Sequence, residues 1–423
     1  MQKIFSQYYE AVRYLESLAS LSETKKYSNK NRNNPEIFIK RTRYFLNLLG
    51  NPDQHLKFIH IAGTAGKGSV ANLVQYILFK TGQRTGLFTS PFVTTSIEKI
   101  KVNDKYIDPL KFAQMVEDAK PLINKAYIEC MEGAPSYFEI FFGLALKYFY
   151  ETKCEWVVLE AGLGGRYDAT NVIKKCEIAA ITNIGFDHTE ILGKTLVKIA
   201  TDKAGIIKPE CVFITTEERP SLLNIFKKIA KENLANKFIA IKGPNHYYEK
   251  NEVLVNVIIE EAGVQNNHKN DPPKLPCRFE VIQKKPLIVL DGAHNGLKMQ
   301  SVVENLARLN YRKLIAIVAI ADDKDKDAIL EKLIPIVDKA FFTRFLVSQR
   351  SSSSPMELFQ RSLKFNPKIK SVVTLDPFGA LKSAIGEAKP NDLVLVTGSF
   401  YLAGELRKKW YPEEKILRDK TSF

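Results

Sequence analysis

Residues 57–69 read KFIHIAGTAGKGS, and this stretch decides the fold of the first half of the chain. Its first six residues form a short apolar run that predicts a buried strand, and Val70–Lys80 continues with helical spacing. Glycines let a backbone approach a phosphate, amide groups at the start of a helix point at the anion, and Lys67 supplies a cation. Residues 63–69 are therefore predicted to be a phosphate-binding loop, with glycines closer together than in the strict pattern.

Apolar strands and amphipathic helices alternate on both sides of this loop, which is typical of an α/β protein with mainly parallel sheets. Further predicted strands are Thr85–Phe88, Glu155–Glu160, Glu177–Thr182, Val212–Thr216, Leu287–Asp291, Leu314–Ala319, Ala340–Thr343, Val372–Leu375 and Leu393–Thr397. Further predicted helices are Tyr137–Tyr150, Leu196–Ile206, Glu249–Ala262 and those that start at Asn295, Lys326, Pro355 and Pro377.

The alternation is interrupted at Gly263–Pro276, a polar segment that is rich in asparagine and proline and has no periodicity. This segment is predicted to be an interdomain linker. The sequence therefore predicts an α/β protein with two doubly wound domains. The N-terminal domain, at 1–270, is expected to be P-loop ATPase-like with a mainly parallel sheet, and the C-terminal domain, at 276–423, to be smaller and Rossmann-like.

The composition excludes several other classes of protein. The chain has 423 residues, of which 45% are hydrophobic, so it is not a disordered chain. The net charge of +15 is diffuse and forms no basic stripe, so we expect no nucleic-acid partner. Without a long apolar run or a signal segment, we expect a cytoplasmic protein with no membrane partner. Five widely spaced cysteines without a CxxC pair predict neither a disulfide framework nor a zinc finger.

Polar residues follow three of the predicted strands. Thr89-Ser90-Pro91 comes directly after Thr85–Phe88, Glu160 ends a strand and precedes a glycine-rich stretch, and His188 follows a third strand. Ligands bind where the strands of such sheets end. Beside a phosphate loop, Glu160 and His188 become candidate metal ligands, although Mg²⁺ prefers oxygen and His is an unusual partner for it.

Seven stretches of the chain resemble one enzyme family in consistent order, from about Tyr8 to Arg407. They are GTAGKGS at 63–69, TSPF at 89–92, EAGLGGRYDATN at 160–171, ITNIGFDHTEILGKTLVKIATDKAGIIKP at 181–209, DGAHN at 291–295, ADDKDKDAIL at 321–330 and TGSFYLAGELR at 397–407. On these motifs the chain resembles the folylpolyglutamate synthase/dihydrofolate synthase family. That family belongs to the Mur-ligase superfamily of ATP-dependent amide-forming ligases.

The resemblance implies roles for individual residues of this chain. It implies nucleotide binding by Gly63, Thr64, Gly66, Lys67, Gly68, Ser69, Asn251, Arg278, Asp291 and His294. It implies metal binding by Ser90, Glu160, His188 and Lys203, the lysine as a carbamate. It implies contact with a pterin substrate by Ser136, Phe138, Asp168 and Ala169. The catalytic residues it implies are Lys67, Lys203 and His188.

The resemblance also implies a reaction. We expect an ATP-dependent ligase that adds L-glutamate to dihydropteroate, forming dihydrofolate, and to tetrahydrofolate, forming polyglutamates, through an acyl phosphate. The expected cofactor is Mg²⁺, with two ions in the site, ATP is a substrate, and the protein is expected to be a monomer. Three alternatives remain open: a monofunctional folylpolyglutamate synthase, a Mur-type cell-wall amino-acid ligase, and a non-catalytic nucleotide-binding module.

The sequence departs from the family pattern at three positions. Relatives usually carry Asn where Ala65 stands, His where Phe92 stands and Gly where Cys277 stands. Ala65 removes a side-chain amide from the phosphate loop, and Phe92 changes the loop that shapes the pterin side of the site. We expect these departures to affect substrate preference rather than the ATP machinery.

Overall fold

The computed structural model describes residues 5–18, 34–244, 247–265, 273–347 and 350–423. Its contacts divide the chain into two compact units. The first comprises Met1–Phe92 with Ser96–Pro273, and the second comprises Val93–Thr95 with Lys274–Phe423. The predicted linker at Gly263–Pro276 overlaps the boundary between the units, and its residues 266–272 lie outside the described part of the chain.

The first unit is built on an eight-stranded sheet with the order β4-β3-β2-β5-β1-β6-β7-β8. The strands are β1 (Lys57–Ala62), β2 (Thr85–Phe88), β3 (Ile100–Val102), β4 (Lys105–Tyr106), β5 (Trp156–Glu160), β6 (Ile178–Ile181), β7 (Val212–Thr215) and β8 (Lys237–Ala240). Neighbouring strands pair in parallel along the order β2-β5-β1-β6-β7-β8, whereas β3 pairs antiparallel with β2 and β4 pairs antiparallel with β3. We call the edge at which the parallel strands end the carboxyl edge.

Helices of the first unit pack on this sheet and connect its strands. They are α1 (Ser6–Leu18), α2 (Ile37–Leu48), α3 (Lys67–Lys80), α4 (Pro109–Glu129), α5 (Tyr137–Glu151), α6 (Thr189–Leu192), α7 (Leu196–Lys203), α8 (Pro220–Glu232) and α9 (Tyr247–Glu261). The apolar faces of α3 and α9, with Val74 and Ile258, share a core with Ile59 of β1. No helix in the described ranges is long and apolar enough to cross a bilayer.

The second unit is a six-stranded sheet with the order β13-β12-β11-β14-β10-β9, in which β9 alone is antiparallel to its neighbour. The strands are β9 (Glu280–Lys284), β10 (Leu287–Leu290), β11 (Leu314–Val318), β12 (Lys339–Phe342), β13 (Lys370–Val373) and β14 (Leu393–Thr397). The helices are α10 (Gly296–Leu306), α11 (Lys326–Leu333), α12 (Pro355–Ser362), α13 (Pro377–Glu387), α14 (Phe400–Arg407) and α15 (Glu413–Asp419).

Both faces of the second sheet are buried, as a doubly wound domain requires. Alternate residues of β11 enter different cores: Leu314 and Ala316 lie in one, and Ile315 and Ile317 lie in the other. The short segment Val93–Thr95 belongs to this unit, since a Cβ on Gly404 of α14 would lie 1.9 Å from Val93 O.

The predicted fold class, two α/β domains with mainly parallel sheets, is confirmed. The strands β1, β2 and β14 have the predicted bounds, and β13 begins two residues earlier than the strand predicted at Val372–Leu375. The helix predicted at Leu196–Ile206 is α-helical to Lys203 and ends in a 3₁₀ turn. The strands β3, β4, β8 and β9 were not predicted, because they are short or half-exposed and lack a continuous apolar run.

A buried ion pair fixes the start of α5. Arg41 of α2 donates from Nε and Nη2 to the two carboxylate oxygens of Glu139, at 3.1 and 2.8 Å, and both side chains are fully buried. Glu139 also accepts from Ser136 N at 2.9 Å, while Ser136 Oγ caps the helix. A buried charge is tolerated when it is paired and hydrogen-bonded, so this pair orients the first turn of α5, where Phe138 stands.

We expect Arg41→Leu to lower the free energy of unfolding by about 3–5 kcal/mol, because Glu139 would stay buried without its cation. Denaturant titration followed by circular dichroism measures the loss. The matched control is Lys228→Leu, whose partner Glu232 lies in an exposed pair, with side chains 75% and 58% exposed. That control should cost less than about 1 kcal/mol. An equally small cost for Arg41→Leu would contradict the structural role of the pair.

Candidate active site

The turn after β1 has the backbone geometry of an anion-binding loop. Gly63 has a φ of 142° and Gly66 has a φ of 85°, both in the region that favours glycine. A Cβ on Gly63 would lie 1.9 Å from Thr182 Oγ1, so a larger residue does not fit there. The helix α3 starts at Lys67, and the first turn of a helix offers amide groups without helical partners to an anion.

The residues that follow β6 hold this loop in shape. Thr64 N donates to Asn183 O at 2.9 Å, and Ala65 N donates to Asn183 Oδ1 at 3.0 Å. Thr64 Oγ1 donates to Gly185 O at 3.1 Å and accepts from Gly185 N at 2.9 Å. Because β1 and β6 are parallel neighbours, the loop is supported by backbone that ends at the same edge of the sheet.

Two lysine amines meet at one carbonyl oxygen of the loop. Lys67 Nζ donates to Gly63 O at 3.0 Å, and Lys203 Nζ donates to the same oxygen at 2.9 Å. Lys203 is 4% exposed, and burial together with the charge of Lys67 lowers the pKa of Lys203 to about 7. Near neutral pH a large fraction of this amine is therefore uncharged and nucleophilic.

Ser90 and Glu160 meet at the ends of β2 and β5, which are parallel neighbours. Ser90 N donates to Glu160 Oε2 at 3.1 Å. Glu160 is buried, and among the described residues no Lys, Arg or His forms an ion pair with it. A buried carboxylate without a cation fits a site for a hard cation such as Mg²⁺. The structure thus brings two of the predicted metal ligands together.

His188 follows β6 and directly precedes α6. Its φ is 50°, and its Nε2 lies 3.7 Å from Asp187 Oδ1. Within the described ranges no three His, Cys, Asp or Glu side chains form a group that could hold a metal ion. The four predicted ligands contain just one Glu and one His, so their fit to a metal rests on the buried Glu160 carboxylate and on the conversion of Lys203 to an oxygen ligand.

The glycine-rich stretch after β5 lies against the end of α7. Gly165 N donates to Asp202 Oδ1 and Arg166 N donates to Asp202 O, both at 2.8 Å. A Cβ on Gly164 would lie 2.2 Å from Asp202 Oδ1, and a Cβ on Gly165 would lie 2.6 Å from Lys203 O. The glycines therefore allow this stretch to contact the turn of helix that carries Lys203.

The residues predicted to contact a pterin lie around Gly162 and the start of α5. A Cβ on Gly162 would lie 2.8 Å from the Phe138 ring and 3.2 Å from Asp168 Oδ2, so these two side chains face each other across the glycine. Ser136 is the buried N-cap of α5, and Ala169 opens a 3₁₀ turn after Asp168. Phe138 and Asp168 are thus brought together, and Ser136 acts on the helix that presents Phe138.

Part of the same stretch lines a cavity of about 510 Å³. Its wall includes Phe38, Leu163, Arg166, Tyr167, Leu192 and Asp202. It combines apolar and aromatic side chains with six charged or hydroxyl groups, as sites for small organic ligands do. None of the predicted pterin residues lines it, and sequence reasoning did not find it, because it forms between α2, α6, α7 and the stretch after β5.

Asn251 of α9 is buried, and its Nδ2 has no hydrogen-bond partner among the described residues. Buried amide donors are normally paired, so an unpaired one is an exception that a ligand could satisfy. This residue is predicted to contact the nucleotide, and its free donor fits that role.

Two of the predicted residues of the second unit, Arg278 and His294, lie beside the Phe400 ring. The Arg278 guanidinium lies 5.0 Å from the centre of the Phe400 ring, and the His294 ring lies 5.7 Å from it. Asp291 accepts hydrogen bonds from two backbone amides, both at 2.7 Å, and burial raises its pKa to about 6. Asp291 therefore shapes the loop after β10, while Arg278 and His294 share one aromatic neighbour.

Two of the departures from the family pattern, Cys277 and Phe92, have contacts that show what each residue does. Cys277 has a φ of 52°, in the region that favours glycine, and its N donates to Glu280 Oε2 at 2.9 Å. The Phe92 ring centre lies 5.1 Å from Lys99 Nζ. The same amine lies 4.3 and 4.2 Å from the ring centres of Tyr137 and Phe141, and it donates to Tyr137 Oη at 2.7 Å. Phe92 thus completes an aromatic cage around a buried lysine.

A hydrogen-bonded chain that sequence reasoning missed links β1 to the stretch after β5. His60 Nε2 lies 2.9 Å from Thr170 Oγ1, and this hydroxyl donates to Asp168 Oδ1 at 2.6 Å. Because the hydroxyl hydrogen is used on Asp168, His60 Nε2 carries the ring proton and donates to Thr170. Asp168 Oδ2 accepts from Leu163 N at 2.9 Å. The signal in the sequence was a histidine inside the apolar run of a central strand.

We expect His60 to stay neutral, with its proton on Nε2, from pH 8 to pH 5. The side chain is fully buried, and burial holds its pKa far below the usual range. The unfolded chain takes up this proton below about pH 6.5, so stability falls with falling pH there, by about 1.4 kcal/mol per unit. Long-range ¹⁵N–¹H NMR reads the tautomer, and denaturation between pH 7 and 5 reads the slope.

In this test, His60→Gln should flatten the acid slope, because glutamine does not titrate in this range. His55→Gln, at an exposed histidine, is the matched control, and comparison of the two variants assigns the slope to the buried ring. A doubly protonated His60 ring at pH 6, or equal slopes for wild type and His60→Gln, would contradict the assignment.

Comparison with known proteins relates both halves of the chain to Mur ligases. The family model for the Mur ligase middle domain matches residues 138–268, and the model for the Mur ligase glutamate ligase domain matches residues 277–400. Dihydrofolate synthase/folylpolyglutamate synthase of Bacillus subtilis is 29% identical over 411 residues, which cover 87% of this chain and 94% of the relative.

Two solved structures share the fold over most of both chains. Folylpolyglutamate synthase from Thermotoga maritima is 28% identical, with a TM-score of 0.77 over 97% of this chain and 98% of that one. Mycobacterium tuberculosis folylpolyglutamate synthase, complexed with ADP and AMPPCP, is 26% identical, with a TM-score of 0.80 over 88% of this chain and 95% of that one. Because the two Mur ligase models together match more than half of the chain, the chain belongs to the Mur ligases, and the relatives that it resembles over most of its length are dihydrofolate synthases and folylpolyglutamate synthases.

Proposed function

We propose that this chain is an ATP-dependent ligase that joins L-glutamate to dihydropteroate and to tetrahydrofolate. The observation that carries the proposal is the grouping at the carboxyl edge of the first sheet. There Lys67 and Lys203 both donate to the carbonyl oxygen of Gly63 in the loop after β1. Ser90 and Glu160 are hydrogen-bonded to each other at the ends of β2 and β5. The family membership of the chain supports the same reaction.

The chemistry explains why such a site needs ATP. A carboxylate does not react with an amine near neutral pH, because its leaving group is poor. In the proposed reaction the substrate carboxylate takes the γ-phosphoryl group of ATP and becomes an acyl phosphate. The amine of L-glutamate then attacks the carbonyl carbon, and phosphate leaves. Holding amine and acyl phosphate side by side contributes up to about 7–11 kcal/mol, and closing off water protects the intermediate.

In this proposal the phosphate loop binds the nucleotide. Phosphoryl transfer depends mainly on positioning and on neutralising charge. The Lys67 ammonium and the amide groups at the start of α3 supply that charge, with Gly63, Thr64, Gly66, Gly68 and Ser69 forming the loop. Asn251 offers its unpaired Nδ2 to the base. By resemblance, Arg278, Asp291 and His294 of the second unit also bind ATP.

Ser90, Glu160, His188 and Lys203 would hold Mg²⁺, with two ions as the finer proposal. The ion, when bound, would neutralise the phosphate oxygens during transfer. The Glu160 carboxylate already lies buried with one backbone donor, and its charge is available to a cation. Lys203 as an ammonium would repel a cation, whereas its carbamate would present anionic oxygen. Reaction of the neutral amine with CO₂ gives that carbamate and releases a proton.

The acid substrate is proposed to lie against α5 and the stretch after β5. Phe138 offers an aromatic face to a flat ring, and Asp168 holds the neighbouring backbone in place. Ser136 fixes the start of α5, and Ala169 leaves room that a larger residue would take.

We propose that residues 1–270 form the ATP-binding domain and that residues 276–423 form the second ligase domain.

We expect ADP release by the purified chain to require both an acid and L-glutamate, with either dihydropteroate or tetrahydrofolate as the acid. Mass spectrometry of the products should show a gain of one glutamate residue with each acid. Lys67→Met is the matched control, and it should lower kcat by about 10²–10³-fold, because one charged donor to the phosphates is removed.

Each other result in this assay favours a different function. Turnover of tetrahydrofolate alone would overturn the bifunctional proposal in favour of a folylpolyglutamate synthase. Turnover of a cell-wall precursor acid instead would indicate a Mur-type cell-wall ligase. ATP binding without glutamate-dependent ADP release would indicate a non-catalytic nucleotide-binding module.

We expect Lys203→Ala to lose activity by about 10²-fold or more, because an oxygen ligand at the phosphate site disappears. Acetate or propionate at high concentration should restore part of kcat by replacing the carbamate oxygens. Lys194→Ala is the control, since Lys194 is exposed in the turn before α7. Wild-type protein in ¹³C-bicarbonate should show one lysine carbamate by NMR that Lys203→Ala lacks. Full activity of Lys203→Ala would contradict this role.

A further inference from the structure

Lys99 is a buried lysine without a role in the proposed reaction. It ends a 3₁₀ turn at Ser96–Lys99, directly precedes β3, and is 4% exposed. No carboxylate in the described ranges forms an ion pair with its amine, which donates to a tyrosine hydroxyl instead. Burying a charge is costly unless neighbouring groups compensate for it, so the groups around this amine must replace a carboxylate.

Three aromatic rings and one hydroxyl surround the amine. Lys99 Nζ lies 4.2 Å from the ring centre of Phe141, 4.3 Å from that of Tyr137 and 5.1 Å from that of Phe92. It also donates to Tyr137 Oη at 2.7 Å. The face of an aromatic ring attracts a cation, and the attraction is stronger where water is excluded. The rings and the hydroxyl therefore hold the ammonium group in one place.

These contacts join two segments of the first unit. Phe92 belongs to the loop after β2, whereas Tyr137 and Phe141 lie at the start of α5. The main chain of Lys99 binds the loop as well, because Thr89 N donates to Lys99 O at 3.2 Å. One residue thus contacts the loop after β2 through its carbonyl group and α5 through its amine.

Both segments carry residues of the proposed site. In the loop, Ser90 directly follows Thr89, and Ser90 N donates to Glu160 Oε2 at 3.1 Å where the metal is proposed to bind. In α5, Phe138 directly follows Tyr137 and is proposed to contact the acid. The distance between the metal and the acid therefore depends on how firmly this loop and α5 are held together.

We propose that Lys99 is a positioning residue that ties the loop after β2, with Ser90, to the first turn of α5, with Phe138. This inference rests on the proposed function, which assigns the metal to the loop and the acid to that turn. In the proposed reaction the carboxylate of the acid must lie beside the γ-phosphoryl group, and a small misplacement of reacting groups can slow a reaction by about 10²-fold. Lys99 acts on this alignment through Ser90 and Phe138.

The phosphate loop is held by other contacts. Ala65 N donates to Asn183 Oδ1 and Gly185 N donates to Thr64 Oγ1, and these partners follow β6, which lies on the side of β1 away from β2. Loss of the Lys99 contacts should therefore affect the acid and not the nucleotide. A purely structural role would instead weaken the binding of every substrate together.

The first test compares Lys99→Met with the wild-type chain by steady-state ADP release. Methionine keeps the length of the side chain and removes its charge and its donors. We expect kcat/KM for the acid to fall at least about tenfold while KM for ATP stays within about twofold, because only the alignment of the acid is lost. Lys99→Arg keeps a cation that packs on aromatic rings and should restore most of kcat/KM.

Two further variants isolate the contact. Lys101→Met is the matched control, since Lys101 of β3 is half-buried and forms no side-chain hydrogen bond to α5 in the part of the chain that the structure describes. It should keep the wild-type values. Tyr137→Phe keeps the ring and removes the hydroxyl, so it should lower kcat/KM for the acid less than Lys99→Met does. Adding it to Lys99→Met should cause no further loss, because both changes break one contact.

Hydrogen exchange tests the same link without turnover. Residues 89–92 and 136–141 should exchange faster in Lys99→Met than in the wild type, and residues 63–69 should exchange at the same rate. If the wild type turns over neither acid, the proposed function is wrong, and the exchange rates alone decide whether Lys99 joins the two segments. If Lys99→Met fails to fold, Tyr137→Phe and Lys99→Arg carry both measurements.

Four results would overturn the inference. They are an unchanged kcat/KM for the acid in Lys99→Met, an equal loss for ATP and for the acid, a Lys99→Arg variant no better than Lys99→Met, and unchanged exchange in both segments.

Discussion

The carbonyl oxygen of Gly63 accepts hydrogen bonds from two lysine amines, and the chemistry of the site depends on this shared acceptor. Two ammonium groups at one oxygen in a buried place repel each other, so the charge of one is disfavoured. Lys67 belongs to the first turn of α3, whereas Lys203 is 4% exposed, and burial and the charge of Lys67 lower the pKa of Lys203 to about 7. The separation of the two roles follows from position and not from residue type.

The strand order of the first sheet brings the two lysines to this shared acceptor. β1 lies between β5 and β6, so the loop after β1 is supported by residues after β6, and the stretch after β5 packs on α7. Glycines at 63, 164 and 165 permit approaches that a Cβ would block at 1.9 to 2.6 Å. Backbone amides of these loops donate to short side chains of the neighbouring segments, as Ala65 N does to Asn183 Oδ1 and Gly165 N does to Asp202 Oδ1.

The features of this arrangement that depend on neighbouring residues could be predicted from the sequence, and the contacts between residues far apart in the chain could not. The phosphate loop, the central strands and the polar strand ends could be predicted, because short-range periodicity and glycine spacing encode them. The links between His60 and Thr170, between Gly165 and Asp202, and between Arg41 and Glu139 could not be predicted. They join residues that are 110, 37 and 98 positions apart, and only the pairing of strands and helices brings them together.

Two of the departures from the family pattern, Ala65 and Phe92, lie in different parts of the first unit. Ala65 stands where its own amide and carbonyl are bonded to Asn183 and Thr182, so the loop keeps its shape without a side-chain amide there. Phe92 instead packs on the buried amine of Lys99, which also bonds Tyr137 in the first turn of α5. Because Phe138 lies in that turn, we expect a change at position 92 to act on the part of the site proposed to bind the acid and not on the phosphate loop.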